Sequence, residues 1–293
     1  MINILSAIQE KYQYRDKKPY YYFVQIGTGG TGGYIIQHLA QMFGTSSADI
    51  DFSYVIADFD HIEEKNLRNQ LFLEEEIGLK KADVLANRYS DAYNLDIGSF
   101  SDSYIESVEN LMNLFSMEYL NISSYDTKLI PVLIGSVDNN YTRQIMDSLF
   151  HKLNDIIYID AGNESTNVPA DWQTRNKSQW TEEEIQSFNN SGWSGQVVTG
   201  VKLNGVICSS PVAAVFPDIL TDTDSIKPSD MSCSELSASE PQRLIVNKYS
   251  ALAVANYVNE IIETQCISNH ITFFHSRKGY MRSVPVEELE TTE

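Results

Sequence analysis

The stretch VQIGTGGTGGYIIQHLA, residues 24–40, packs five glycines into seven residues between an apolar run and an amphipathic one. Gly27, Gly29 and Gly32 satisfy G-x-G-x-x-G, and Gly30 makes the pattern G-x-G-G-x-G. A turn of this kind between a strand and a helix aims backbone N–H groups and the positive end of the helix dipole at an anion. The missing Cβ atoms let that anion come close. Asp58 ends the next strand-like run, FSYVIAD, where a carboxylate accepts hydrogen bonds from both ribose hydroxyls. A nucleotide is the expected ligand. On these residues alone a nicotinamide dehydrogenase and an ATP-using enzyme fit equally well.

The rest of the first half keeps the same rhythm. Strands are expected over 20–26, 52–58, 96–100, 129–135 and 156–160, with helices over 30–43, 78–93, 104–118 and 139–153. Alternation of this kind predicts right-handed crossovers and an α/β fold, a Rossmann-like, doubly wound, mostly parallel sheet. The second half reads differently. Residues 163–194 form a polar excursion, and GQVVTGVKLNGVICSS turns at Asn204-Gly205, a hairpin signal. A polar crossover over 217–241 precedes a helix over 242–263, with Pro241 at its start, and strands over 270–275 and 279–284 close the chain. Antiparallel strands are therefore expected to continue the sheet. The domain plan is an extension over 1–19, one domain over 20–285 and a tail over 286–293.

Charge and cysteine usage exclude several function classes. The 21 Lys and Arg against 40 Asp and Glu give a net charge of −19, with no concentrated basic patch. Nucleic acid and anionic membranes are thus not expected partners. No apolar run approaches the length of a membrane span, and the first residues lack the pattern of a cleavable leader. The three cysteines, Cys208, Cys233 and Cys266, include no C-x-x-C pair. Structural zinc is not expected, and a reducing, cytoplasmic setting is.

The segment from Asp58 onward, DFDHIEEKNLRNQLFLEEEIGLKKADVLANRY, is unlike a dehydrogenase. Here the chain resembles the ThiF/MoeB/E1 superfamily, which adenylates the C-terminus of ubiquitin-like proteins. In that family an acidic residue ends the second strand, followed by D-x-V-x-x-x-N-L-x-R-Q and a G-x-x-K-A helix start. Asp58, Asp60, Asn66, Gln70, Gly78, Lys81 and Ala82 fall on those positions. SVDNNYTRQIMD is similar to the family's D-N-x-x-x-R element, through Asp138, Asn139 and Arg143. IDAGNES and SGQVVTGV are similar to its D-x-G-N and G-Q-V-V-x-G strand pair. The tail, with its S-C … Q-x-x-x-x-N pattern, looks most like the ThiF-related proteins of PRTRC cassettes and neighbouring bacterial E1-like proteins.

The resemblance implies the E1/ThiF adenylation-domain fold, ATP and Mg²⁺ as cofactors, and a homodimer. It implies that the Gly27–Gly32 turn takes the phosphates, that Lys81 reaches them, that Asp138 holds Mg²⁺ and that Asn66 and Gln70 orient the triphosphate. Asp60 and Asn139 belong to the same expected nucleotide set. Asp138-Asn139 also suits a helix cap, and Arg143 reads as structural. The chain departs from the family in Asn66-Leu67-Arg68-Asn69-Gln70, where the arginine stands one position early. Arg68 is expected to contact pyrophosphate, or Arg15, from a partner subunit, takes over.

After adenylation the family divides. Without zinc cysteines the thioester branch is favoured, and Cys233, in the crossover before the last helix, is the expected nucleophile for a small ubiquitin-like partner. Transfer to an E2-like protein would come next. Cys208, in an apolar strand, is expected to be buried and inert. A sulfur-carrier adenylyltransferase, a catalytically silent scaffold and an NAD-dependent oxidoreductase remain as alternatives.

Overall fold

A computed structural model describes residues 1–11, 17–48, 50–116, 126–222, 227 and 241–287. β1 (Ile2–Asn3) leads into α1 (Ile4–Lys11), and a βαβ unit comes next as β2 (Lys18–Ile26), α2 (Gly30–Thr45) and β3 (Asp51–Ala57). The chain continues through α3 (Lys81–Tyr93), β4 (Ile97–Phe100), α4 (Val108–Asn113), β5 (Thr127–Gly135), α5 (Asn140–Lys152) and β6 (Ile156–Asn163). The second half contributes α6 (Glu182–Asn190), the hairpin β7 (Ser194–Leu203) and β8 (Val206–Ser209), and two single turns, α7 (Val212–Val215) and α8 (Asp218–Thr221). It ends with α9 (Leu244–Thr264), β9 (Cys266–Ile267), β10 (Asn269–His275) and β11 (Tyr280–Pro285).

Nine strands form one sheet in the order β11-β10-β7-β6-β5-β2-β3-β4, with β8 on β7. The pairs from β4 to β6 are parallel, and those from β6 through β7 and β10 to β11 are antiparallel. Side chains alternate across β2 as the two-residue period requires. Tyr21 and Phe23 pack with Ile4, Ile35, Leu39, Leu85 and Val258 beneath α1, α2, α3 and α9. Tyr22, Val24 and Ile26 pack with Leu111, Leu149, Phe150 and Val212 beneath α4, α5 and α7. Each fully buried aliphatic or aromatic side chain of this kind contributes about 1.5–3 kcal/mol.

The hairpin turns where expected, with Asn204 and Gly205 both at positive φ, 54° and 84°. Several boundaries differ from the sequence reading. The helix expected over 78–93 starts at Lys81, because Gly78 turns the chain at φ 88° and Lys80 pairs with His61 in an antiparallel bridge. The helix expected over 104–118 is confined to α4 and opens at Ser107, whose side chain accepts from the Asn110 N–H at 3.0 Å. The polar excursion over 163–194 contains α6, started by a Thr181–Glu184 capping box. Ile4 and Ile8 of the N-terminal extension join the main core, and β1 pairs with β9. Among the described residues no helix is long and apolar enough to cross a membrane.

Candidate functional site

The strand order reverses direction between β2 and β5, so a crevice opens at the carboxyl ends of β2, β3, β5 and β6. The glycine turn lies there, and buried polar groups hold its shape. Gly27 has φ 92°, and a Cβ on it would sit 2.6 Å from the Ser136 carbonyl oxygen. A Cβ on Gly32 would sit 2.1 Å from the Gly27 carbonyl oxygen. Gln25, fully buried, donates from Nε2 to the carbonyls of Gly27 and Gly32 at 2.9 and 3.0 Å. Its Oε1 accepts from the Tyr54 hydroxyl at 2.7 Å, and the Ser136 hydroxyl donates to the Gly27 carbonyl at 2.9 Å. No side chain caps the N-terminus of α2, which leaves its first N–H groups facing the crevice.

Asp58 stands just past β3. Its Oδ2 accepts from the Thr28 N–H and hydroxyl at 2.7 and 2.8 Å, and its Oδ1 accepts from the Asp60 N–H at 2.9 Å. Burial raises the Asp58 carboxyl above its ordinary range, opposed by the Lys81 charge and by these backbone donors. Lys81, the first residue of α3, is buried and donates to Asp60 Oδ2 at 2.9 Å. Burial alone would depress its ammonium. The charges of Asp58, Asp60 and Asp138 outweigh that and hold it above the usual lysine value. Tyr104 donates to the other Asp60 oxygen at 3.2 Å.

Asn66 lies within a short 3₁₀ turn, Glu64–Arg68, and Gln70 follows just after it, opposite the glycines. Asn66 Oδ1 is committed to the Glu63 N–H at 2.8 Å, whereas Gln70 Oε1 is buried with no hydrogen-bond partner among the described residues. Gln70 Nε2 lies 3.9 Å from the point where a Gly29 Cβ would stand. Arg68 is exposed and makes no hydrogen bond or ion pair among the described residues.

After β5, Asp138 is exposed and Asn139 caps α5, its Oδ1 accepting from the Thr142 N–H at 2.8 Å. Arg143 is the clamp under this turn. It binds Asp160 Oδ1 at 3.1 Å and the carbonyls of Val137 and Ala161 at 2.6 and 3.2 Å. Among the described residues no group of three or more His, Cys, Asp or Glu could hold a metal. Mg²⁺ fits the chemistry of Asp138 nonetheless, since this small hard cation takes one or two protein carboxylates and completes its shell with phosphates and water.

The cysteines divide. Cys233 and Arg15 lie outside the described residues. Cys208, on β8, is only half-buried rather than enclosed, because β8 is a short strand hydrogen-bonded to β7 alone. Burial still raises its thiol. Cys266 is buried on β9, directly after α9.

Sequence reasoning overlooked Gln25, Tyr54, Thr28 and Ser136. The one available signal was a glutamine inside the otherwise apolar YYYFVQI. It also passed over a network behind the glycines that ties β6, α2 and α9 together. There Asn163 Nδ2 donates to Thr31 Oγ1 at 2.9 Å and to Asn247 Oδ1 at 3.0 Å, and Thr31 Oγ1 donates to Asn247 Oδ1 at 3.2 Å.

No family model matches the sequence, and neither does any curated protein. Solved structures do match in fold. Escherichia coli MccB with succinimide is 15% identical over 98% of this chain and 68% of its own, at a TM-score of 0.54. MccB with AMPCPP and MccA is 16% identical over the same shares, at 0.53. PaaA is 17% identical over 97% of this chain and 68% of its own, also at 0.53. The doubly wound sheet with an antiparallel continuation, expected from the ThiF/MoeB/E1 resemblance, is the fold observed.

Proposed function

We propose that this chain is an ATP-dependent adenylyltransferase that activates the carboxyl terminus of a small protein. The observation that carries this reading is the convergence of the glycine turn, Asp58, Lys81 and Asp138 at the carboxyl ends of β2, β3 and β5. The fold neighbours add support: MccB has been solved with ATP, and as a microcin C7 biosynthetic enzyme in complex with N-formylated MccA.

In this reaction a carboxylate oxygen of the substrate bonds to the α-phosphorus of ATP. The bond from that phosphorus to the bridging oxygen breaks, and pyrophosphate leaves. Negative charge builds on phosphate oxygens, so fixed donors and cations matter more than a general base. Asp58 receives the ribose, and the free N–H groups of α2 receive the phosphates. Lys81, already charged and poised on Asp60, turns toward the phosphates. Asp138 holds Mg²⁺, which supplies further charge neutralisation when bound.

In the leading reading the substrate is a ubiquitin-like protein. Cys233 then takes the acyl group: its thiolate attacks the acyl carbon, the acyl–phosphate bond breaks and AMP leaves. The resulting thioester passes to an E2-like protein, and the enzyme works as a homodimer. The MccB complexes with MccA support a second reading, a substrate of the MccA kind. ATP–pyrophosphate exchange separates these readings. Exchange that appears only with a carboxyl-terminal substrate supports adenylation, and a reductant-sensitive adduct selects the thioester branch. ATP bound with no exchange for any such substrate leaves a silent scaffold.

A further inference from the structure

Behind the glycine turn, the Asn163–Thr31–Asn247 network directs three hydrogen bonds inward and leaves two polar atoms without partners among the described residues. Asn247 is 1% exposed, and its Oδ1 accepts from both Thr31 Oγ1 and Asn163 Nδ2. Its Nδ2 is buried with no partner, as is Asn163 Oδ1. Buried amide groups are nearly always hydrogen-bonded, so two orphans in one small network point to a ligand. Asn247 Nδ2 is aimed at the first turn of α2, 2.4 Å from where a Cβ on Gly30 would stand. The N-terminus of the same helix has no side-chain cap.

Position and chemistry together indicate which group belongs there. Asp58 fixes the nucleoside at the end of β3, and the phosphates then lie over the neighbouring β2 turn. Asn163 ends β6, two strands from β2 on the side away from β3. With strands about 4.8 Å apart, β6 is roughly 10 Å beyond the phosphate turn. In an in-line displacement either the incoming carboxylate or the departing pyrophosphate lies beyond the α-phosphorus. Pyrophosphate calls for cations, and the network contains none. The buried, unpartnered amide oxygen of Asn163 would repel phosphate but would accept a hydrogen bond from a peptide N–H.

We propose that Asn247 and Asn163 hold the carboxyl-terminal residue of the acyl substrate. Asn247 Nδ2 donates to its carboxylate oxygen, and Asn163 Oδ1 accepts from its N–H. The assignment rests on the adenylation reading and adds to it the subsite that selects the acyl end.

The probes are AMP and 5′-O-(N-glycylsulfamoyl)adenosine, a stable acyl-adenylate mimic, titrated calorimetrically into the full-length protein. Wild type is expected to bind the glycyl mimic about tenfold or more tighter than AMP. Asn247→Asp, which replaces the donor with an acceptor, and Asn163→Leu should each erase that advantage while AMP affinity stays within about twofold. Circular dichroism melting establishes that each variant is folded, and Asn163→Leu carries the test if Asn247→Asp is not. Retention of the advantage in a folded variant overturns the proposal. Equal weakening of AMP and mimic also overturns it, since the network then serves the turn itself. Wild type binding both probes equally overturns the subsite but leaves adenylation standing. Wild type binding neither AMP nor ATP overturns adenylation and the subsite with it.

Discussion

Lys81 Nζ lies 2.9 Å from Asp60 Oδ2, with the lysine side chain 7% exposed and that of the aspartate 43%. One partner is sealed in the protein and the other faces the crevice. The buried cation therefore has an exposed anion that a phosphate can displace. Lys81→Ala should weaken Mg·ATP binding by about tenfold or more, the scale of a lost charge-assisted hydrogen bond. Lys81→Arg should recover little, because the broad guanidinium does not fit the space of a point-like ammonium. Equal ATP affinity in wild type and Lys81→Ala by calorimetry would remove Lys81 from the site.

The raised Asp58 carboxyl gives ATP binding an acid limb. As an acceptor for ribose hydroxyls Asp58 must be ionised, and ionisation here needs a higher pH than the ordinary aspartate value of about 3.9. Affinity should fall on acidification at a pH above the ordinary aspartate range, and Asp58→Asn should flatten that limb. Stability runs the opposite way. A carboxyl raised on folding adds stability that is fully present at low pH and lost as pH rises through its folded value. Acidification should therefore weaken ATP binding while this residue contributes nothing to acid melting. An unchanged acid limb in Asp58→Asn would assign the titration to another group.

Much of the nucleotide turn was legible because it is local. Gly27, Gly29, Gly30, Gly32 and Asp58 fall within one βαβ unit, where strand and helix periodicities fix their placement. The Asn204-Gly205 turn was legible for the same reason, since both residues carry the positive φ that a two-residue hairpin demands. The features that escaped depend on contacts between distant segments. Thr31 and Asn247 are 216 positions apart, and no periodicity announces their hydrogen bond. Lys81 could be aligned with a motif, but its pairing with Asp60 arises from the turn at Gly78 and the His61–Lys80 bridge, which also displaced the helix start.

Asp138 and Arg143 share one loop-helix junction but should fail in different ways. Asp138 is exposed, so Asp138→Ala should leave the melting temperature nearly unchanged. Loss of a metal carboxylate should cut pyrophosphate exchange to on the order of a percent or less. Arg143→Ala should instead leave Asp160 buried without its cation, at a cost of about 3–5 kcal/mol in denaturant unfolding. Exchange within about threefold of wild type in Asp138→Ala would show that the metal is held elsewhere.

The cysteines offer a chemical test of the thioester branch. Burial raises the Cys208 thiol and encloses Cys266, so both should react slowly with iodoacetamide in the native protein. Cys233→Ala should keep pyrophosphate exchange and lose the reductant-sensitive adduct, whereas Cys208→Ala and Cys266→Ala keep both. An adduct that survives Cys233→Ala would rule out Cys233 as the nucleophile.

Arg68, exposed and unpaired among the described residues, stands one position early in the motif, and in the homodimer reading Arg15 of a second subunit completes the phosphate contacts. Light scattering should report a dimer at micromolar concentration. Mixing inactive Arg15→Ala and Asp138→Ala proteins should restore part of the exchange activity. Full activity in a strictly monomeric sample would contradict this.

The central claim is that the glycine turn, Asp58 and Lys81 form an ATP site in a fold that also suits a dinucleotide. Calorimetric titration of the wild-type protein with Mg·ATP and, separately, with NAD tests it most directly. Saturable ATP binding between about 1 μM and about 1 mM, weakened by Lys81→Ala, with no heat from NAD, is the expected result. Saturable NAD binding with none for ATP would contradict it.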